Sequence, residues 1–125
     1  DVTFHRAFDR CRDPLQSLED VIACGCTRIL ISGQVPNAFD GRELIRQLVE
    51  KAGDRIIIMP GSGVRSANIK ELKEYTGAKE MHSSARKNLP SSMQFTAAGM
   101  QEQLQHTGID EEEVKAMRKA LEAVN

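Results

Sequence analysis

Nine consecutive residues constrain this chain more than any others: Ile56-Ile57-Ile58-Met59-Pro60-Gly61-Ser62-Gly63-Val64. Three β-branched residues in a row suit a strand buried on both faces, as in a parallel sheet. Gly61 and Gly63 admit positive φ and let a ligand approach the backbone closely. A helix is expected from about Ser66, so the stretch reads as strand, glycine turn, helix. The N–H groups at that helix start, with Ser62 and Ser66, can hold an anion. The glycine spacing is not that of a dinucleotide fingerprint, and the acidic residue such a fingerprint needs is missing.

The rest of the chain repeats this unit. Val2-Thr3-Phe4-His5-Arg6 alternates like a short strand. Asp13-Pro14 is a helix start, with Asp as N-cap and Pro in the first turn. Leu15, Leu18, Val21 and Ile22 follow at helical spacing, and Gly25 suits the C-terminal cap. Arg28 to Gly33 is the second strand, and Gly41 opens a helix to about Ala52 with Leu44, Ile45, Leu48 and Val49 on one face. Gly53 stops it. Arg55 to Met59 is the third strand, followed by a helix that turns Ile69, Leu72 and Tyr75 inward and ends near Gly77. Glu80-Met81-His82-Ser83 reads as a fourth, short strand. Residues 86–108 are polar and aperiodic and read as a long loop. Asp110 caps a terminal helix, 110–124, whose first turn carries Glu111, Glu112 and Glu113 and whose stripe is Val114, Met117, Leu121 and Val124.

Four βα units over residues 1–85 make an α/β chain with parallel strands and right-handed crossovers, within a single domain over 1–125. That is half of an eight-fold (β/α)8 TIM-type barrel, or a small doubly wound sheet. The first residue is Asp1 and a strand begins almost at once, so the chain reads as a piece of a longer protein. Composition narrows the class. The 125 residues carry 17 Lys and Arg against 18 Asp and Glu, which gives no pull toward nucleic acid or an anionic membrane. Aromatics are 4%, too few for base-stacking platforms. No apolar run approaches the roughly 20 residues of a membrane span. The three cysteines lack the spacing of a disulfide framework, which points to a reducing compartment.

In such folds ligands bind at the carboxyl ends of the strands. Those ends read His5-Arg6-Ala7-Phe8-Asp9, Ser32-Gly33-Gln34, Pro60-Gly61-Ser62-Gly63 and His82-Ser83-Ser84. Period-two alternation points Thr3 and His5 inward if Val2 and Phe4 face helices, and puts Glu80 and His82 on one face. The candidate catalytic set is therefore His5, Arg6, Asp9, Glu80 and His82, and the candidate ligand-binding set is Ser32, Gln34, Gly61, Ser62, Gly63 and Ser83. Two histidines and a carboxylate can move protons at neutral pH. They can also ligate a divalent metal. The plainer readings are a hydrogen-bonded core histidine, Glu80 paired with an inward Arg or Lys, and a tight turn at 61–63. Cys24-Gly25-Cys26 invites a soft metal, but lies on the face away from the expected site and cannot alone complete a tetrahedral centre. Cys11 falls nearer the expected site.

Thr3-Phe4-His5-Arg6-Ala7-Phe8-Asp9, Ile31-Ser32-Gly33-Gln34, Met59 to Val64 with Asn68, and Glu80-Met81-His82-Ser83-Ser84-Ala85 together resemble the CutC copper homeostasis family, in the family's order. Ile31 stands where the family usually has Thr. The resemblance implies the carboxyl-terminal half of a (β/α)8 barrel, cytoplasmic and homo-oligomeric, with copper as the possible cofactor or cargo. Cys11, Cys24 and Cys26 do not match the cysteines proposed to bind copper in that family. Two functions follow: copper binding or handling, or a barrel enzyme of unassigned reaction acting on a small anionic metabolite. A half-barrel with two open sheet edges is expected to self-associate.

Overall fold

A computed structural model of the chain describes residues 1–90 and 105–122. Three parallel strands form its centre in the order β1 (Thr3–Phe4), β2 (Arg28–Ile31), β3 (Ile57–Pro60), with Thr3 opposite Arg28 and Arg28 opposite Ile57. A 3-10 turn (Arg6–Arg10) and α1 (Pro14–Ala23) link β1 to β2; α2 (Arg42–Ala52) links β2 to β3; α3 (Ile69–Thr76) follows β3. The starts and stops have local causes. Asp13 accepts the Gln16 N–H at 3.1 Å, and Pro14 occupies the first turn of α1. Gly77 closes α3 in the left-handed conformation.

Alternation along the strands sets the layers. Ile29, Ile31 and Ile58 are buried beneath the helices, against Leu18 and Val21 of α1, Ile45 and Leu48 of α2, and Ile69 and Leu72 of α3. Each fully buried Leu or Ile contributes about 1.5–3 kcal/mol through the apolar area removed from water. The opposite face of the sheet presents Arg28, Leu30, Ile57 and Met59, all half-buried. β3 is thus covered fully on one face rather than both. Tyr75 is exposed instead of inward, with Arg42 and Arg46 stacked 5.5 and 5.4 Å from its ring.

Two expectations need correction. Glu80–Ser83 makes no ladder: the chain from 80 to 85 is tied beside β3 by a single backbone bond, His82 N–H to the Pro60 carbonyl at 2.8 Å. Ser83 ends the run locally, since its Oγ donates to the Val64 carbonyl at 2.6 Å and accepts the Ala85 N–H at 3.1 Å. Residues 86–108 are not simply loop either. β4 (Arg86–Pro90) pairs antiparallel with β5 (Gln105–Ile109), Arg86 opposite Ile109 and Pro90 opposite Gln105. Residues 91–104 lie outside the described residues. The terminal helix is α4 (Glu111–Glu122), capped by Asp110, whose Oδ1 accepts the Glu113 N–H at 3.2 Å. Of its expected stripe Met117 is buried and Val114 exposed; Val124 lies outside the described residues.

Candidate functional site

The carboxyl ends of the strands gather most of the candidate residues, and Asp9 organises the first group. Its side chain is only 8% exposed. Asp9 accepts the Ser32 N–H at 3.0 Å, the Gln34 N–H at 3.1 Å and Arg6 Nε at 2.8 Å. Arg6 Nη2 also donates to Ser32 Oγ at 2.7 Å, while Gln34 Nε2 donates to the Cys11 carbonyl at 2.6 Å. Ser32 is completely buried. The acid is therefore fully engaged in fixing the ends of β1 and β2. The loop after β2 returns so tightly that a Cβ at Gly33 would run into the Gly41 backbone, and the reverse holds as well.

The second group lies after β3. A cavity of about 240 Å³ opens there, lined by Arg6, Leu30, Ser62, Gly63, Val64, Arg65, His82, Ser83 and Ser84. Gly63 has φ +70, and a Cβ there would strike the Asn37 side chain. Ser62 also holds positive φ, at 82, pinned by Oγ donating to the Pro36 carbonyl at 2.6 Å. Arg6 is the residue common to this cavity and a second opening lined by His5, Ala7, Asp9 and Arg10.

The predicted convergence of His5, Glu80 and His82 is not what the geometry gives. His5 Nδ1 accepts the Ala7 N–H at 2.9 Å, capping the 3-10 turn, and its ring stacks on Phe4. His82 is exposed and lies beside Gly61 in the cavity after β3. Glu80 meets Arg28 at the amino end of β2, at 2.5 and 2.9 Å. The Arg28 hydrogen bond, with its charge, draws the Glu80 carboxyl below its ordinary value. Among the described residues no three of His, Cys, Asp or Glu form a group able to hold a metal ion. Arg6, Ser62, Gly63, His82 and Ser83 come together; Ser32, Gln34 and Asp9 support them; His5 and Glu80 stand apart. Gly61 packs beneath, where a Cβ would meet Leu30 and His82.

Three participants were not in the predicted site. Arg65 lines the cavity and pairs with Glu113 at 3.5 Å, and Asn37 packs on Gly63. Glu113 also fills the anion position expected at Ser66, accepting its N–H at 2.5 Å and its Oγ at 2.9 Å. The Ser66 N–H, more than Arg65, lowers the Glu113 carboxyl. An Arg just past a glycine loop is visible in sequence, but nothing local announces an acid 47 positions away. The cysteines are also placed differently from expectation. Cys11, Cys24 and Cys26, all free thiols, line one cavity of about 290 Å³ between β1 and α1.

The family model for the CutC family matches residues 1–87. The chain belongs to the CutC family. A CutC family protein of Chromobacterium violaceum is 45% identical over 97% of this chain and 51% of its own length. One from Parabacteroides distasonis is 55% identical over 75% of this chain and 39% of its own. The chain thus spans about half the length of the curated relatives it matches, or less. A solved structure, the putative copper homeostasis protein CutC of Streptococcus agalactiae, superposes with a TM-score of 0.61 at 36% identity, covering 65% of this chain and 40% of that one. Family membership and an α/β fold with parallel strands therefore agree with the motif reading.

Proposed function

We propose that this CutC chain forms part of a closed (β/α)8 barrel, its carboxyl-terminal half, whose mouth binds a small anionic metabolite. The single observation that supports the reading most is the cavity after β3, where two arginines and a histidine meet a glycine loop. Arg6, oriented by Asp9, clamps the anion. His82 serves as the acid or base, since it is the histidine in that cavity. Ser62, Gly63 and Ser83 shape the anion pocket; Ser32 and Gln34 hold Arg6 and the β2 loop in register. Residues at this end of a barrel suit chemistry, whereas the Arg28–Glu80 pair at the amino end suits stability. The reading places the protein in the cytoplasm as a homo-oligomer, without nucleic-acid or membrane partners. Among the described residues, no helix is long and apolar enough to cross a membrane.

The test is a calorimetric panel of phosphate monoesters, small dicarboxylates and neutral sugars on the full chain. At least one anionic class should bind, neutral sugars should not, and Arg6→Gln should weaken binding tenfold or more. Absence of binding by every anion contradicts the reading.

Copper binding or handling is the second reading, favoured by the three thiols lining one cavity, because thiolates select Cu(I). Among the described residues, no three His, Cys, Asp or Glu side chains form a group able to hold a metal ion. A Cu(I) titration under reducing conditions tests it. Stoichiometric binding lost in Cys24→Ser and Cys26→Ser supports copper at that cavity, and no binding removes it.

A further inference from the structure

The mouth holds three runs of backbone N–H groups, and two of them already have an anion. Asp9 accepts the N–H groups of Ser32 and Gln34, and Glu113 accepts that of Ser66. The third run is Ser62, Gly63 and Val64. Among the described residues, none of these three N–H groups donates to a protein acceptor.

Their direction follows from peptide geometry. In a trans peptide the N–H points opposite to the preceding carbonyl, and no cis bonds occur here. The Ser62 carbonyl accepts the Ala38 N–H at 2.9 Å, and the Gly63 carbonyl accepts Asn68 Nδ2 at 2.9 Å. Both carbonyls are thereby turned onto the protein. The N–H groups of Gly63 and Val64 are turned the other way, and both residues line the cavity. Arg6, Arg65 and His82 line the same cavity. Asp9 and Glu113 each hold one arginine and fix its plane. A guanidinium carries five donors, so the bonds to Asp9 and Ser32 leave part of the Arg6 set for a ligand.

Resting on the anion reading above, we infer that the group seated on Ser62-Gly63-Val64 is a phosphate, carried by a small phosphate monoester. The internal carboxylates show what a two-oxygen planar acceptor takes in this mouth: one or two N–H groups, a hydroxyl and one arginine edge. Three consecutive amides without a protein acceptor among the described residues, two of them turned toward the cavity, with two arginines and an imidazole, exceed that set and match three terminal oxygens with close to two negative charges. The cavity, about 240 Å³, leaves room for the phosphate and a short organic group only, below the usual range for drug-sized ligands.

The experiment is a titration of the ¹⁵N-labelled full chain with inorganic phosphate at constant ionic strength, followed by amide shifts, with malonate as the dicarboxylate control. Phosphate should move the Ser62, Gly63 and Val64 amides in one saturable event. Malonate should move them at least tenfold more weakly, and Arg6→Gln should weaken the phosphate event tenfold or more. Malonate equal to or stronger than phosphate at those amides overturns the phosphate and leaves the anion reading standing. No movement at 62–64 with either anion overturns both.

Discussion

The two sides of the mouth are built on opposite principles. On the β1–β2 side the central groups are tied within the protein: Asp9 takes the Ser32 and Gln34 amides and a guanidinium, and Ser32 is buried beneath them. On the β3 side the Ser62 and Gly63 carbonyls are matched, but the amides of Gly63 and Val64 are turned toward a cavity. Both sides are rich in polar side chains, so polarity does not tell support from ligand contact. The distinction lies in which hydrogen-bonding groups remain without a protein partner.

That contrast can be broken by substitution, starting where the effect is largest. Asp9→Ala strips the acceptor from two amides and leaves Arg6 without its partner. It should cost about 3 kcal/mol in urea unfolding, since orphaned buried donors carry their full desolvation penalty. A cost under about 1 kcal/mol would mean that the β1–β2 side is less tightly built than its hydrogen bonds indicate.

Glu113→Gln comes next, at about 1.5 kcal/mol for a charged acceptor replaced by a neutral one. Its sign with pH is set by the lowered carboxyl. The folded value lies below the ordinary 4.5, so the unfolded chain binds the proton first as pH falls. The stabilisation is present above 4.5 and lost as pH drops through the folded value. Wild type and variant should therefore converge in acid, and a constant gap across that range contradicts the assignment.

His82→Ala is the smallest in stability, within about 0.5 kcal/mol because the side chain is exposed. It should nonetheless lower anion affinity several-fold by calorimetry. A stability loss as large as that of Asp9→Ala would move His82 to the supporting side.

Much of the fold was legible because its signals are local. Asp13-Pro14, Gly53 and Gly77 mark helix ends wherever the chain goes, and Leu18, Ile45, Leu48 and Leu72 keep helical period. The 86–90 and 105–109 pairing was not legible, since Arg-Lys-Asn and Gln-His-Thr-Gly have little strand preference and find each other only in space. Strand-end position named Arg6, Ser62, Gly63 and His82, which line the cavity after β3. It could not show that Glu80 would meet Arg28 at the other end of the sheet, or that Glu113 would occupy the Ser66 amide. Those contacts span 52 and 47 positions, and sequence spacing carries no distance at that range.

Amide hydrogen exchange of the ligand-free chain tests the contrast most directly, because it reads both sides of the mouth in one sample. Ser32 and Gln34 should exchange slowly, protected by Asp9, while Ser62, Gly63 and Val64 exchange fast and slow down when phosphate is added. Protection at 62–64 without ligand, or fast exchange at Ser32 and Gln34, would contradict the division between a supporting side and a ligand side.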